Sequence, residues 1–398
     1  MSIVFYHKKT IRDVDVVGKR VLVRVDYNVP RDEAGNVTDL TRINGTLPTL
    51  QYLLKRGAKV VLMSHLGRPK GEKNLKYSLA NLAPVLQRLL DAPVAFCPDC
   101  VGAEAEKMAN DLQPGEVLLL ENLRFYKEEE KNDDAFAEKL AKLGDLFVCD
   151  AFGAVHRAHA SLVGVTKYLP AVAGFLLEKD LVMMRKLLAD PARPVVAVMG
   201  GAKVDDKIGV IKNLLPNVDR LLIGGAMANT FLYALGYDMG ASKISLDYVD
   251  LVRDLMKKDV AKKIVLPEDL VAAAAFAPDA KYRNVAVNRI PSGWMALDMG
   301  KNTVRTYAAI VESAQTVIWN GPMGVFEMPV FARGTEAIAV ACAKCQGATI
   351  VGGGDSLAAI DQAGVGYMIT HISTGGGSTL EYLEGKHLPG VEVLQNAR

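Results

Sequence analysis

Short apolar runs recur along this chain, and each one stops at a polar or glycine-rich loop. Residues 21–25 run into Asp26-Tyr27-Asn28-Val29-Pro30 and 60–63 into Ser64-His65-Leu66-Gly67-Arg68-Pro69. Val117–Leu120 ends at Glu121-Asn122-Leu123-Arg124, and 146–149 at Asp150-Ala151-Phe152-Gly153. Later, Val195–Met199 gives Gly200-Gly201-Ala202-Lys203, 317–319 gives Asn320-Gly321-Pro322-Met323-Gly324, and 349–351 gives Gly352-Gly353-Gly354-Asp355-Ser356. Runs that are apolar throughout predict parallel strands covered on both faces. Between them lie helical patterns. Ile43, Leu47, Leu50 and Leu54 share one face that stops at Gly57, and Leu79, Leu82, Val85, Leu86 and Leu89 form another. Strand, loop, helix, strand predicts βαβ units, with about five strands before residue 170 and about six after 190.

The passage Leu169-Pro170-Ala171-Val172-Ala173-Gly174 interrupts this rhythm. After it, Leu177, Leu181, Met184 and Leu188 share a helical face that ends at Asp190-Pro191. One sheet of about eleven strands would be unusually wide. Two sheet domains joined by a helix are therefore expected, and a length of 398 residues agrees.

Composition excludes several classes. A formal net charge of +2 leaves no basic excess for a polyanion such as nucleic acid. No stretch reads as a secretion signal or a membrane span, so a soluble, cytoplasmic protein is expected. Five cysteines cannot all pair, and Cys97-Pro98-Asp99-Cys100 and Cys342-Ala343-Lys344-Cys345 read as reduced thiols rather than zinc ligands. The run Glu128-Glu129-Glu130 reads as a solvated helix start. His156 and His159 lack the carboxylate spacing of a metal motif, and a structural or hydrogen-bonding role is expected of them.

In open α/β sheets ligands bind beyond the carboxyl ends of the strands, so the loops outline a binding surface. In the first half they bring Arg42, Arg68, Arg124 and Arg157, with His65. Taken singly each arginine fits a surface ion pair. Converging, they call for a ligand's negative charge. Asp26 and Asn28 add an acceptor and an amide, so the ligand is small, anionic and hydroxylated. In the second half, Lys203 and Lys207 lie four apart at an expected helix start and would share one face. Glycine-rich loops expose backbone amides suited to phosphate. Ser373-Thr374-Gly375-Gly376-Gly377 repeats this arrangement. Asp355 could hold Mg²⁺, which takes one or two carboxylates besides phosphate oxygens. No P-loop and no full dinucleotide fingerprint occurs.

Arg24-Val25-Asp26-Tyr27-Asn28-Val29-Pro30, Ser64-His65-Leu66-Gly67-Arg68-Pro69, Gly200-Gly201-Ala202-Lys203, Trp319-Asn320-Gly321-Pro322-Met323-Gly324-Val325-Phe326-Glu327 and the Ser373 loop together resemble phosphoglycerate kinase. The resemblance runs from about residue 10 to the end. It implies two Rossmann-like, doubly wound parallel-sheet domains facing each other across a cleft. Residues 1–172 would bind phosphoglycerate, 173–190 would join the domains, 191–381 would bind Mg-nucleotide, and 382–398 would return to the first domain. The implied reaction moves the acyl phosphate of 1,3-bisphosphoglycerate to ADP, reversibly, in a monomer that closes about a hinge.

Carried over by position, Asp26, Asn28 and Arg42 would contact the glycerate. His65, Arg68, Arg124 and Arg157 would cradle its 3-phosphate, and Leu66 and Gly67 would also bind the substrate. Arg42, Lys203 and Lys207 would act on the transferred phosphoryl, with amides from Gly375 and Gly376. Lys207, Gly293, Glu327, Gly353, Gly354, Asp355 and Ser356 would hold the nucleotide, with Glu327 on the ribose and Asp355 on Mg²⁺. Three positions depart from the family's commoner pattern: Tyr27 for phenylalanine, Ala154-Val155 for Thr-Ala, and Ser356 for threonine. A kinase for another carboxylate and a two-lobed anion-binding protein are the alternatives. The second-phosphate arginines speak against the first, and Lys203, Lys207 and Asp355 against the second.

Overall fold

The computed structural model describes residues 5–205 and 207–397, without the side chains of Leu187 and Leu188. The side chain of Leu188, an expected helix-face position, and the loop residue Asp206 therefore lie outside what is described. The chain divides into two compact units. Among the described residues, one holds 5–185 and 387–397; the other holds 186–205 and 207–386.

The first unit is built on a six-stranded sheet. Its strands are β1 (Arg20–Val25), β2 (Lys59–Met63), β3 (Val94–Cys97), β4 (Val117–Leu120), β5 (Leu146–Asp150) and β6 (Ala171–Ala173). All pairings are parallel, in the order β3-β4-β2-β1-β5-β6. Every residue of β4 and β5 is buried, because helices cover a parallel sheet on both faces. The edge strand β3 is only partly covered. The helix Thr41–Lys55 buries Ile43, Leu50 and Leu53 against this core. Each such side chain contributes about 1.5–3 kcal/mol by leaving water. The breaker-rich passage supplies the short strand β6 and then the helix Phe175–Ala189, which buries Leu177, Leu181 and Met184.

The end of the chain belongs to this unit. Lys9 N donates to Gln395 O, Gln395 N to Ala171 O, and Gly390 N to Val155 O. A side chain at Gly390 would meet the Cα of Val155 at 3.0 Å, so the segment lies close against the Ala154-Val155 turn.

In the second unit a parallel sheet runs β15-β14-β13-β7-β8-β9. Its strands are β7 (Val195–Met199), β8 (Arg220–Ile223), β9 (Ile264–Val265), β13 (Thr316–Asn320), β14 (Ala348–Gly352) and β15 (His371–Ser373). Trp319 is fully buried at its centre, with its indole N–H donating to Gly321 O at 2.8 Å. A second, antiparallel sheet was not expected from the sequence: β11 (Tyr282–Ala286), β10 (Asp269–Ala273) and β12 (Met295–Met299), in that order. Four of the five β11 residues are exposed, so its sequence is polar and carries no apolar run.

Candidate active site

In each parallel sheet the chain order reverses about one strand pair, β1/β5 in the first and β7/β13 in the second. Such a reversal opens a crevice at the carboxyl ends, where ligands of α/β proteins sit.

At the end of β1, Asp26 Oδ2 accepts a hydrogen bond from Arg42 Nη1 at 2.6 Å. Arg42 comes from the first turn of the helix Thr41–Lys55. His65, in the loop after β2, places Nε2 3.9 Å from Asp26 Oδ1. Asn28 Oδ1 accepts the amide of Gly67, and Arg124 Nη1 donates to Gly67 O at 2.8 Å. Gly67 has φ +61, and a side chain there would meet the Tyr77 ring at 2.4 Å. Asn122 grips the same loop by taking Leu66 N–H and donating to Leu66 O. The loop of His65, Leu66 and Gly67 is thus pinned by the chain's own hydrogen bonds. Arg68 is exposed and Arg157 half-buried. Together the geometry joins Asp26, Asn28, Arg42, His65, Gly67 and Arg124 directly.

The same corner holds groups the sequence pattern did not flag. Arg24, within β1, is fully buried. Glu129 is also buried, which corrects its reading as a solvated helix position. Its carboxylate accepts both the hydroxyl and the amide of Ser161. His159 Nδ1 lies 3.7 Å from Glu129, but burial and the guanidiniums of Arg24, Arg124 and Arg157 push its pKa down to about 3. It is a neutral neighbour rather than an ion-pair partner. Tyr27 shares a hydrogen bond with Thr46 at 2.9 Å, so its extra hydroxyl is satisfied within the core.

In the second unit, the loops after β7 and β13 lock together. Gly200 N donates to Asn320 O and Gly201 N to Pro322 O. Lys207 Nζ donates to Gly200 O at 2.6 Å and Asn320 O at 3.1 Å. The expected shared helical face of the two lysines does not form. The helix starts only at Ile208, so Lys203 stands in the loop before it, more than half exposed, while Lys207 is buried. Gly200 tolerates no Cβ, which would come within 2.1 Å of Pro322 O.

Two cavities open at this crevice. One, of 690 Å³, is lined by Gly201, Asn229, Leu270, Asp298, Glu327 and Asp355 among others. The other, of 550 Å³, is lined by Lys207, Gly353, Gly354, Asp355, Ser356 and Gly376. Asp355, in the first turn of the helix Gly354–Ala363, borders both. Ser356 is fully buried and its hydroxyl accepts Gly321 N–H at 2.6 Å, which makes it a loop anchor. Gly375 N donates to Ser373 Oγ, while Gly376 adopts φ +49 at the start of the helix Gly377–Leu383. Gly293 is a turn glycine at φ +75 and lines neither cavity.

Arginine-bearing loops thus end strands of one unit, and glycine-rich loops end strands of the other. The sequence profile of the family described as phosphoglycerate kinase matches residues 11–386. The chain belongs to the phosphoglycerate kinase family. It is 59% identical over 389 residues to a phosphoglycerate kinase of Moorella thermoacetica, covering 97% of this chain and 99% of that one. A Roseiflexus relative of the same description is 56% identical, covering 98% and 100%. Among solved structures, the phosphoglycerate kinase of Coxiella burnetii superposes with a TM-score of 0.87 at 38% identity, covering 97% and 98%. Membership carries phosphoglycerate kinase activity, the kinase step of glycolysis and gluconeogenesis. Family members use a Mg-nucleotide. Among the described residues no helix is long and apolar enough to cross a membrane.

Proposed function

We propose that the first unit binds 3-phosphoglycerate or 1,3-bisphosphoglycerate, that the second binds ADP or ATP with Mg²⁺, and that the phosphoryl group passes directly between them. The convergence of Asp26, Arg42 and His65 at the end of β1 is the observation that carries this reading. A carboxylate and a guanidinium in contact suit the hydroxyl and carboxylate of a glycerate. His65, Arg68, Arg124 and Arg157 supply hydrogen bonds and charge for its 3-phosphate.

Transfer breaks the bond between phosphorus and the acyl oxygen as a bond forms to the terminal oxygen of ADP. The departing carboxylate needs no proton, so no general base or protein nucleophile is required. Arg42 and Lys203 would balance charge on the moving phosphoryl, Lys207 would hold the β7 and β13 loops in register, and Gly375 and Gly376 would contribute amides. Gly353, Gly354 and Ser356 would form the phosphate turn. Glu327, on the wall of the larger cavity, would take the ribose, and Gly293 would also contact the nucleotide.

Mg²⁺ fits Asp355. Among the described residues no cluster of three ligating side chains exists, but Mg²⁺ commonly takes one carboxylate and fills its remaining positions with phosphate oxygens and water. Bound there, it would neutralise charge on the nucleotide phosphates. The protein would act in the cytoplasm as a monomer. A coupled assay with 3-phosphoglycerate, ATP and Mg²⁺ tests the reading. Turnover with 3-phosphoglycerate, and none with simple carboxylates or carbamate, is expected; the reverse preference would overturn it.

A further inference from the structure

Arg24 is a charge among the buried apolar residues Val21, Leu22, Val23 and Val25 of strand β1, and only 1% of its surface is exposed. Its partners form a chain whose direction is fixed by chemistry. Glu129 Oε1 accepts the Ser161 hydroxyl at 2.6 Å, and Oε2 accepts the Ser161 amide at 3.0 Å. The hydroxyl has given its one proton to Glu129, so a lone pair receives Arg24 Nε–H at 2.9 Å. Arg24 Nη2 then lies 3.1 Å from His65 Nδ1. A guanidinium only donates, so Nδ1 must be the acceptor. A neutral imidazole that accepts at Nδ1 carries its proton on Nε2.

We propose that Arg24 is a positioning residue: anchored by Ser161 and Glu129, it fixes His65 with its proton on Nε2, so that this N–H donates to the 3-phosphate of phosphoglycerate. The proposal rests on the reading of these loops as the phosphoglycerate site. The electrostatics agree. Burial, then the guanidiniums of Arg24, Arg124 and Arg42, hold His65 well below the usual imidazole range, so it offers a directed hydrogen bond and not a charge. The other tautomer would put Nδ1–H against an Arg24 N–H and turn a lone pair toward an incoming phosphate oxygen. Nε2 is 3.9 Å from Asp26 Oδ1, beyond hydrogen-bond length, so Asp26 does not hold that proton.

The test is a long-range proton–nitrogen correlation spectrum of the full-length protein labelled in histidine. His65 should show a neutral ring protonated at Nε2 at pH 7, both with and without 3-phosphoglycerate. A ring protonated at Nδ1, an imidazolium, or an averaged pair of tautomers would overturn the proposal. In Arg24→Met the two tautomers should average, and KM for 3-phosphoglycerate should rise about tenfold while kcat changes far less. A folded Arg24→Met with an unaltered His65 spectrum would overturn it. If that variant does not fold, Ser161→Ala, which frees Arg24 Nε, must shift the Nδ1 resonance, and an unmoved resonance counts against the proposal. His65→Ala separates the two layers. An unchanged KM for 3-phosphoglycerate would remove the site reading and the donor role with it, whereas a raised KM beside a wrong tautomer would refute the role of Arg24 alone.

Discussion

Arg42 and Asp355 carry the sharpest expectations at the scale of single residues. Arg42 is held against Asp26 at 2.6 Å, so its guanidinium is fixed by the protein's own carboxylate. Replacing it with alanine should lower turnover about 10²–10³-fold, the cost of one transition-state charge contact, and leave ADP affinity close to the parent's. Steady-state rates with ADP titration calorimetry check this; turnover within a few-fold of the parent removes Arg42 from the phosphoryl. Asp355 borders both cavities of the second unit. Asp355→Ala should weaken Mg-nucleotide binding and spare 3-phosphoglycerate. Calorimetry with each ligand decides the matter, and equal losses for both would point to damaged folding instead.

Among the elements, the join between β5 and the helix Phe175–Ala189 is sensitive to pH. Asp150 closes β5, is fully buried, and accepts the amides of Leu176 and Leu177 through one oxygen, Oδ1. Gly174 makes this approach feasible, since a Cβ there would meet that oxygen at 2.3 Å. Despite these amides, burial pushes the carboxyl up to about 7. The sign follows from proton counting. Between the ordinary carboxylate range and about pH 7 the folded state holds a proton that the unfolded chain has lost, so stability falls as pH rises through that window. Asp150→Asn keeps a carbonyl oxygen for both amides and cannot ionise. Its stability relative to the parent should therefore be greater at pH 8 than at pH 5, by about 1–3 kcal/mol. Urea-unfolding midpoints at the two pH values measure it; the same difference at both would show that Asp150 ionises normally.

For the whole molecule, the constraint comes from chemistry. The proposed substrate loops lie before residue 160 and the proposed nucleotide loops after 200, in separate compact units. Phosphoryl transfer needs donor and acceptor within about 3–3.5 Å. On the proposed assignment, the ternary state would have to bring these loops together and exclude water. Small-angle scattering with no ligand, each ligand, and both should give its smallest radius of gyration with both bound. An unchanged radius would argue against closure about the Phe175–Ala189 helix.

The order of strands and helices was legible because burial on both faces of a parallel sheet leaves an apolar run in the sequence. The positions of the arginine and glycine loops followed, since they end those runs. The antiparallel sheet was not legible: β11, Tyr-Arg-Asn-Val-Ala, faces solvent and bears no apolar stripe. Spacing also misplaced the lysines, because a turn delays the helix to Ile208 and separates an exposed Lys203 from a buried Lys207. Glu129 looked solvated within an acidic run and is instead the buried foundation of Ser161 and Arg24. The sequence by itself determined which residue types meet each crevice, because strand ends are local events. Only the tertiary structure decided which charges are buried and which proton each of them holds, because burial and hydrogen-bond direction depend on partners far away in the chain.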